Sequence, residues 1–280
     1  MYRLLFIHAL SPLHAGTGQG VGSIDLPIAR EKGTGIPYLP GSSLKGVLRD
    51  LSAAQLDPER RLALFGPETT KASEHAGALS IGDALLLCFP VRSLAGVFAY
   101  ATSPYLLERF AREAELVGFS LPPKPRAPQE PTTAYLAPQS KLAYDGKLYL
   151  EDLDFKAQEE PSLASWEERL SRWIPIQGRL CLLHDDIMTF LLETATEVTA
   201  RIRLDDESKT VAQGALWYEE SLPAESFLYR LIYLGPSWRT GVSLSGDDLK
   251  HLSGAVQLGG KASVGRGLCR LSLEEASRDA

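Results

Sequence analysis

The sequence predicts an α+β fold, and three observations predict it. The chain opens with an apolar run, YRLLFIHA from Tyr2 to Ala9, closed by Ser11, Pro12 and glycines as a strand is. Two later stretches, from Ser42 and from Pro104, carry apolar residues at helical spacing. Between Glu197 and Glu219 the period changes to that of a half-buried β-hairpin.

Taken in order, Tyr2 to Ala9 alternates loosely and reads as a buried first strand. A glycine-rich loop follows from His14, with Gly16 and Gly18 ahead of a single carboxylate, Asp25. The run SSLKGVLRDLSAAQL then sets Leu44, Val47, Leu48 and Leu51 on one helical face, with a serine as its expected cap and Lys45 and Arg49 in its first turns. Ala78 to Phe89 and Val97 to Thr102 read as strands. PYLLERFAREAELV, from Pro104 to Val117, reads as a helix whose charge spacing suits an exposed face. Phe119 to Pro138 holds prolines at 122, 123, 125, 128, 131 and 138, so an extended loop is expected. Its Lys124 and Arg126 read first as solvated cations and second as nucleic-acid contacts.

Beyond Leu180, Asp185 and Asp186 precede IMTFLLETA, a short capped helix. In the hairpin, Val198, Ala200, Ile202 and Leu204 alternate with polar residues, and a turn through Asp205 to Lys209 leads into TVAQGALWYE. Arg201 and Arg203 share one face, while the adjacent Trp217 and Tyr218 point to opposite faces. Arginine beside aromatic rings suits single-stranded RNA, through phosphate pairing and base stacking; a packed Trp beside solvated arginines is the plainer alternative. Finally, LGGKASVGRGLCRL places Gly259, Gly260 and Lys261, then Gly265, Arg266 and Gly267, just before a last strand. Neither this loop nor GSSLKG has the P-loop spacing, which argues against a P-loop nucleotidase.

Composition narrows the class. With 280 residues, 44% hydrophobic and 23% charged, the chain reads as globular, and no apolar run reaches the length of a membrane span. The start is too polar after residue 10 for a signal peptide, and Cys88, Cys181 and Cys269 match no zinc spacing, so a reducing cytoplasm is expected. Asparagine is absent and methionine occurs twice, a bias that fits a thermophilic source. The net charge of −6 means that any surface for nucleic acid must be a local stripe.

Glycine loops let backbone approach a ligand, and a helix N-terminus with a lysine one turn in favours phosphate. With Asp25 between two such features, the chemistry they suggest is work on a phosphodiester backbone. The segments LHAGTG, IDLPIAREKGTGIPYLPGSSLKGVLR, TARIRLDDESKTVAQGALWYEE and GGKASVGRG resemble the RAMP superfamily of CRISPR proteins, and within it the repeated backbone subunits of type III-B (Cmr) effector complexes.

That resemblance implies a ferredoxin-like, RNA-recognition-type core in one elaborated domain over 1–280. Loop 14–40 carries the catalytic Asp, 118–180 is an insertion region, and 197–219 protrudes as a thumb. Copies of such subunits stack into a filament along a guide (CRISPR) RNA, beside other Cmr subunits, and cut complementary single-stranded target RNA at regular intervals. Asp25 matches the catalytic aspartate; it would hold Mg²⁺ or another divalent cation, or take the proton of the attacking 2′-hydroxyl. His14 is a second catalytic candidate. Ser42, Ser43 and Lys45 match the guide-backbone cradle, and Tyr218 and Glu219 match residues near the cut site. Two rival readings follow from the same resemblance, a scaffold that does not cut and a metal-independent nuclease that processes the guide transcript.

Overall fold

The computed structural model describes residues 1–16, 18, 23–67, 75–204 and 211–275. In chain order the strands are β1 (Tyr2–Ala9), β2 (Tyr38–Leu39), β3 (Leu79–Ile81), β4 (Ala84–Arg92), β5 (Phe98–Thr102), β6 (Thr133–Leu136), β7 (Ala143–Tyr144) and β8 (Lys147–Leu150). There follow β9 (Leu153–Glu159), β10 (Leu180–Leu182), β11 (Glu197–Leu204), β12 (Val211–Ser221), β13 (Phe227–Leu234), β14 (Gly254–Gln257) and β15 (Leu268–Glu275). The helices are α1 (Gly41–Leu51), α2 (Pro58–Phe65), α3 (Pro104–Glu115), α4 (Ser162–Leu170) and α5 (Asp185–Thr194). The chain is thus α+β, as its patterning predicts.

One large, mostly antiparallel sheet runs in the order β14-β15-β1-β13-β4-β5-β10-β6-β9-β8-β7, with β2 on β4 and β3 on β13. β1 lies between β15 and β13, and both of its faces are covered. Leu5 and Ile7 join Leu44 and Leu48 of α1 and Leu191 of α5, whereas Leu4 and Phe6 join Phe110 of α3 and Trp166 of α4. This is why the first strand reads as nearly continuous apolar sequence rather than clean alternation. Burying Leu4, Leu5, Phe6 and Ile7 contributes on the order of 6–12 kcal/mol, so β1 fixes the centre of the core. Phe6 stacks on Trp173 with ring centroids 4.0 Å apart.

Three expectations change. The first turn of α1 has no serine cap: the residue before it is Pro40, and the Asp83 carboxylate instead accepts from the Gly41 amide at 2.8 Å. Ser42 and Ser43 are left exposed in that turn. The charged residues of α3 do not all face water, because Arg109 is buried and donates two bonds of 2.8 Å to Glu31. The proline-rich stretch ends in a true strand, β6, which pairs with β9 and β10. Residues 118–180, expected as an insertion region, carry β6 to β9 and α4 and lengthen the same sheet.

Lys124 and Arg126 have protein partners, Glu108 and Glu160, each at 2.6 Å, which favours the solvated reading of both. All three cysteines are buried and free; burial pushes the Cys269 thiol up to about 12 and keeps all three protonated in the core. No helix among the described residues is long and apolar enough to cross a membrane.

Candidate active site at the base of the hairpin

The hairpin β11–β12 leaves the body at a junction of two loops. Leaving β1, the chain pairs Leu13 with Leu222, just past β12, through bonds of 2.8 and 2.9 Å. The loop that begins at His14 then closes on itself, with Gly16 bridged to Ile28 and the Ala29 amide bonded to the Ala15 carbonyl at 2.8 Å. Its returning limb lies parallel to β12: the Leu26 amide donates to Tyr218 at 3.1 Å, and the Glu220 amide donates to Leu26 at 3.0 Å. The limb is in effect a third strand on the hairpin. Asp25 is thereby held at a defined place, where its Oδ2 accepts from the Tyr218 amide at 2.7 Å while the residue stays exposed. Gly18 is described and Thr17 and residues 19–22 are not.

Neighbouring strand residues face opposite ways, so Glu219 and Glu220 serve different loops. Both are buried. Glu219 accepts from Lys261 Nζ at 2.7 Å, Trp217 Nε1 at 2.7 Å and Arg201 Nε at 3.3 Å. Burial opposes ionisation of Glu219, yet Lys261, Trp217 and Arg201 outweigh it and hold its carboxyl at about 2. A carboxyl depressed from 4.5 to about 2 stabilises the fold above the unfolded value and loses that contribution as the pH falls through the folded one. We therefore expect the hairpin base to loosen between pH 4.5 and about 2, losing on the order of 2–3 kcal/mol, and Glu219→Gln to remove that acid transition from Trp fluorescence.

The loop before β15 is part of the same junction. The Gly260 amide donates to the His14 carbonyl at 3.0 Å. Gly259 is needed because a Cβ there would run into that His14 carbonyl. Lys261 adopts the left-handed conformation, φ 68°, and Gly265 follows at φ 80°. Arg266 does not present its guanidinium outward as a phosphate ligand. It is buried, donating to Ser221 Oγ at 2.6 Å, Thr199 Oγ1 at 3.0 Å and Glu197 at 3.2 Å, and so ties Gly267 and its neighbours to both hairpin strands. His14 is buried as well. Its Nδ1 donates to the Glu220 carbonyl at 2.6 Å, which makes Nδ1 the protonated nitrogen and stations the ring as a brace between the hairpin and Gly260.

Register places Arg201 opposite Trp217, Ala200 opposite Tyr218 and Ile202 opposite Leu216. One hairpin face therefore carries Thr199, Arg201, Trp217 and Glu219, with Arg203 exposed toward the tip. The other carries Val198, Ala200, Ile202, Leu216 and Tyr218, all exposed. The turn Asp205 to Lys209 lies outside the described residues. The opposite facing of Trp217 and Tyr218 agrees with this register, which shifts between Ile202 and Leu204 and pairs Arg203 with no residue of β12.

The start of α1, with Ser42, Ser43 and Lys45, is elsewhere. Ile81 sits opposite Ile232 and that residue opposite Arg3, so α1 starts beside Gly82 at the beginning of β1, whereas Cys269, just past Gly267, sits opposite the end of β1 at Ala9. Six residues of strand separate the two ends, about 20 Å. Lys45 is half-buried and burial, reinforced by Arg49, lowers its pKa; Arg49 donates to the Pro67 carbonyl at 2.9 Å. Two cation-bearing regions thus lie at opposite ends of the central strand.

The sequence matches the RAMP superfamily over residues 6–270. This chain is a RAMP protein. The RAMP protein is 38% identical over 288 residues to the CRISPR system Cmr endoribonuclease Cmr4 of Pyrococcus furiosus, covering 99% of its own length and 97% of that protein's. It is 23% identical over 294 residues to the CRISPR system CMR subunit Cmr4 of Saccharolobus solfataricus, covering 95% of itself and 94% of that subunit. The crystal structure of oligomeric Cmr4 from Pyrococcus furiosus superposes with a TM-score of 0.75 and 29% identity, over 99% of both chains. A chain of the type III-B Cmr-beta complex bound to cognate target RNA superposes at 0.77 with 21% identity, over 98% and 97%, a likeness of fold.

Sequence reasoning missed Glu220, Arg30, Glu197 and Ser221. Their signal was present in part: two adjacent glutamates at the end of an alternating strand put one carboxylate on each face, and each then needs a cation.

Proposed function

We propose that this RAMP protein is the repeated backbone subunit of a type III-B CRISPR effector complex, and the subunit that cuts RNA paired to the guide. The observation that carries the reading is the seat of Asp25, an exposed carboxylate fixed by the Tyr218 amide where the hairpin leaves the body. The 38% identity to a Cmr endoribonuclease over nearly the whole chain supports it. The order β15-β1-β13-β4 supports a ferredoxin-like centre, because a βαββαβ chain orders its strands 4-1-3-2. On this reading β11–β12 is the thumb, and the exposed Ser42 and Ser43 with the half-buried Lys45, in the first turns of α1, meet the guide backbone.

The reaction is attack of a target 2′-hydroxyl on the adjacent phosphorus. The P–O5′ bond breaks, leaving a 2′,3′-cyclic phosphate; the 2′-proton is taken up by a base, and the departing O5′ takes a proton from water to become a 5′-hydroxyl. Among the described residues only the Tyr218 amide bonds Asp25, through Oδ2, which leaves Oδ1 to take up a hydroxyl proton or fill one ligand position of a cation. A single exposed carboxylate, Asp25, suits a hard cation that would take its other ligands from water and RNA phosphate oxygens. Such a cation, when bound, neutralises charge on the reacting phosphate. Tyr218 and Trp217, adjacent on β12 and on opposite faces, border Asp25 and Glu219 respectively, and offer rings on which a displaced base can stack. A guide-processing nuclease built on His14 is disfavoured by the burial of that ring.

The test is to isolate the assembly, extract its RNA, and supply a labelled complementary target with Mg²⁺ or with a chelator. A bound small RNA, cuts at even spacing and loss of cutting under the chelator are expected. Binding without cutting would assign the chain to the scaffold reading instead.

A further inference from the structure

We infer that Glu220, paired with Arg30, is a positioning residue for Asp25, pinning the register of the Asp25 limb on the hairpin so that loop and hairpin move as one unit. The inference rests on the catalytic reading of Asp25. Every polar group of Glu220 is used in this junction. Its amide donates to the Leu26 carbonyl, its carbonyl accepts from His14 Nδ1, and its Oε2 accepts from the Ile28 amide at 3.1 Å. Its Oε1 accepts from Arg30 Nη2 at 2.6 Å and Thr196 Oγ1 at 2.9 Å. These bonds bracket Asp25, with His14 upstream and Leu26, Ile28 and Arg30 downstream. Arg30 also donates to the carbonyls of Gly35 at 3.0 Å and Leu192 at 2.9 Å, which extends the anchor to α5.

Physical chemistry explains why a charged pair is used there. The Asp25 limb pairs with β12 through a short parallel contact, and a slip of one residue would turn Asp25 to the other face of the ribbon. A buried ion pair adds little stability over apolar side chains of similar size, but its directional bonds admit one alignment. Glu220 Oε2 bonds the Ile28 amide and Oε1 bonds the Arg30 guanidinium, so both are satisfied together only when Leu26 lies beside Glu219. A displacement of about 1 Å at a reacting group can lower a rate on the order of a hundredfold. The pair of buried Glu220 and half-buried Arg30 therefore acts on rate, through Asp25, and not on RNA affinity.

The test uses the assembled complex with its guide RNA. Glu220→Gln should leave the affinity for complementary RNA unchanged, lower the single-turnover cleavage rate at saturating target by at least about tenfold, and speed hydrogen exchange at the Tyr218 amide, which Asp25 protects. Wild-type cleavage, or a loss of affinity as large as the loss of rate, would overturn the inference. The double variant Arg30→Met with Glu220→Met replaces the pair by apolar side chains and guards against a failure to fold; it should remain slow, and wild-type cleavage by it would equally overturn the inference. Asp25→Asn run beside them tests the underlying reading separately, and the Tyr218 exchange reads positioning with no cleavage involved.

Discussion

Asp25→Asn is expected to leave folding, assembly and guide binding intact while slowing cleavage of a bound complementary RNA by about a hundredfold or more. The geometry explains why this substitution is informative. Asn keeps a carbonyl oxygen at the position of Oδ2, so the bond from the Tyr218 amide, 2.7 Å long, can persist and the limb stays on β12. The charge that would accept a proton or bind a cation is lost. If Asp25 served only to seat the loop, Asn would serve nearly as well, and cleavage would continue with at most a small drop in stability. Rates measured with and without Mg²⁺, beside the binding constant for the same RNA, separate the two cases. Retained cutting removes Asp25 from the chemistry, and lost binding makes it structural.

Gly267→Ala should give the largest loss of stability of any single change at this junction, on the order of 3–5 kcal/mol. At φ 77° the residue occupies the left-handed region, and an added Cβ would overlap the carbonyl oxygen of Leu258. That backbone cannot retreat, because the Leu258 amide donates to the Gly267 carbonyl and the Gly267 amide to Pro12, both at 2.8 Å. Gly265→Ala is the control. Its φ is 80° but nothing lies within 4 Å of the added carbon, so only the backbone term of about 1 kcal/mol applies. Thermal unfolding should show a fall on the order of 10 °C for Gly267→Ala and far less for Gly265→Ala. Equal shifts would show that the close approach to Leu258 does not matter. Because Arg266 is adjacent and braces both hairpin strands, Gly267→Ala should also weaken RNA binding.

These two residues show how much can be read from sequence. Period and turn chemistry are local properties, so β1, α1, α3 and the hairpin were legible, and the resemblance carried by IDLPIAREKGTGIPYLPGSSLKGVLR singled out Asp25. Burial is not local. Arg109 reads as a surface cation on a helix until Glu31, from a distant loop, meets it in the core. Arg266 and Lys261 read as a phosphate-binding loop until the hairpin returns to place Ser221 and Glu219 against them. Residues 118–180 carried little pattern because their strands are short, and the pairing of β6 with β10 decided their place.

The sequence by itself determined the α+β class, the hairpin and its two faces, the glycine positions and the lone Asp25, since each depends on neighbours within a few residues along the chain. Only the tertiary structure decided that Asp25 is held on the hairpin, that His14 and Arg266 are buried braces, and that the start of α1 and the loop before β15 lie toward opposite ends of the central strand. Those facts depend on which segments the central strand brings together, and the partners of a buried charge are chosen by that packing, from residues up to 190 positions away in the case of Arg30 and Glu220.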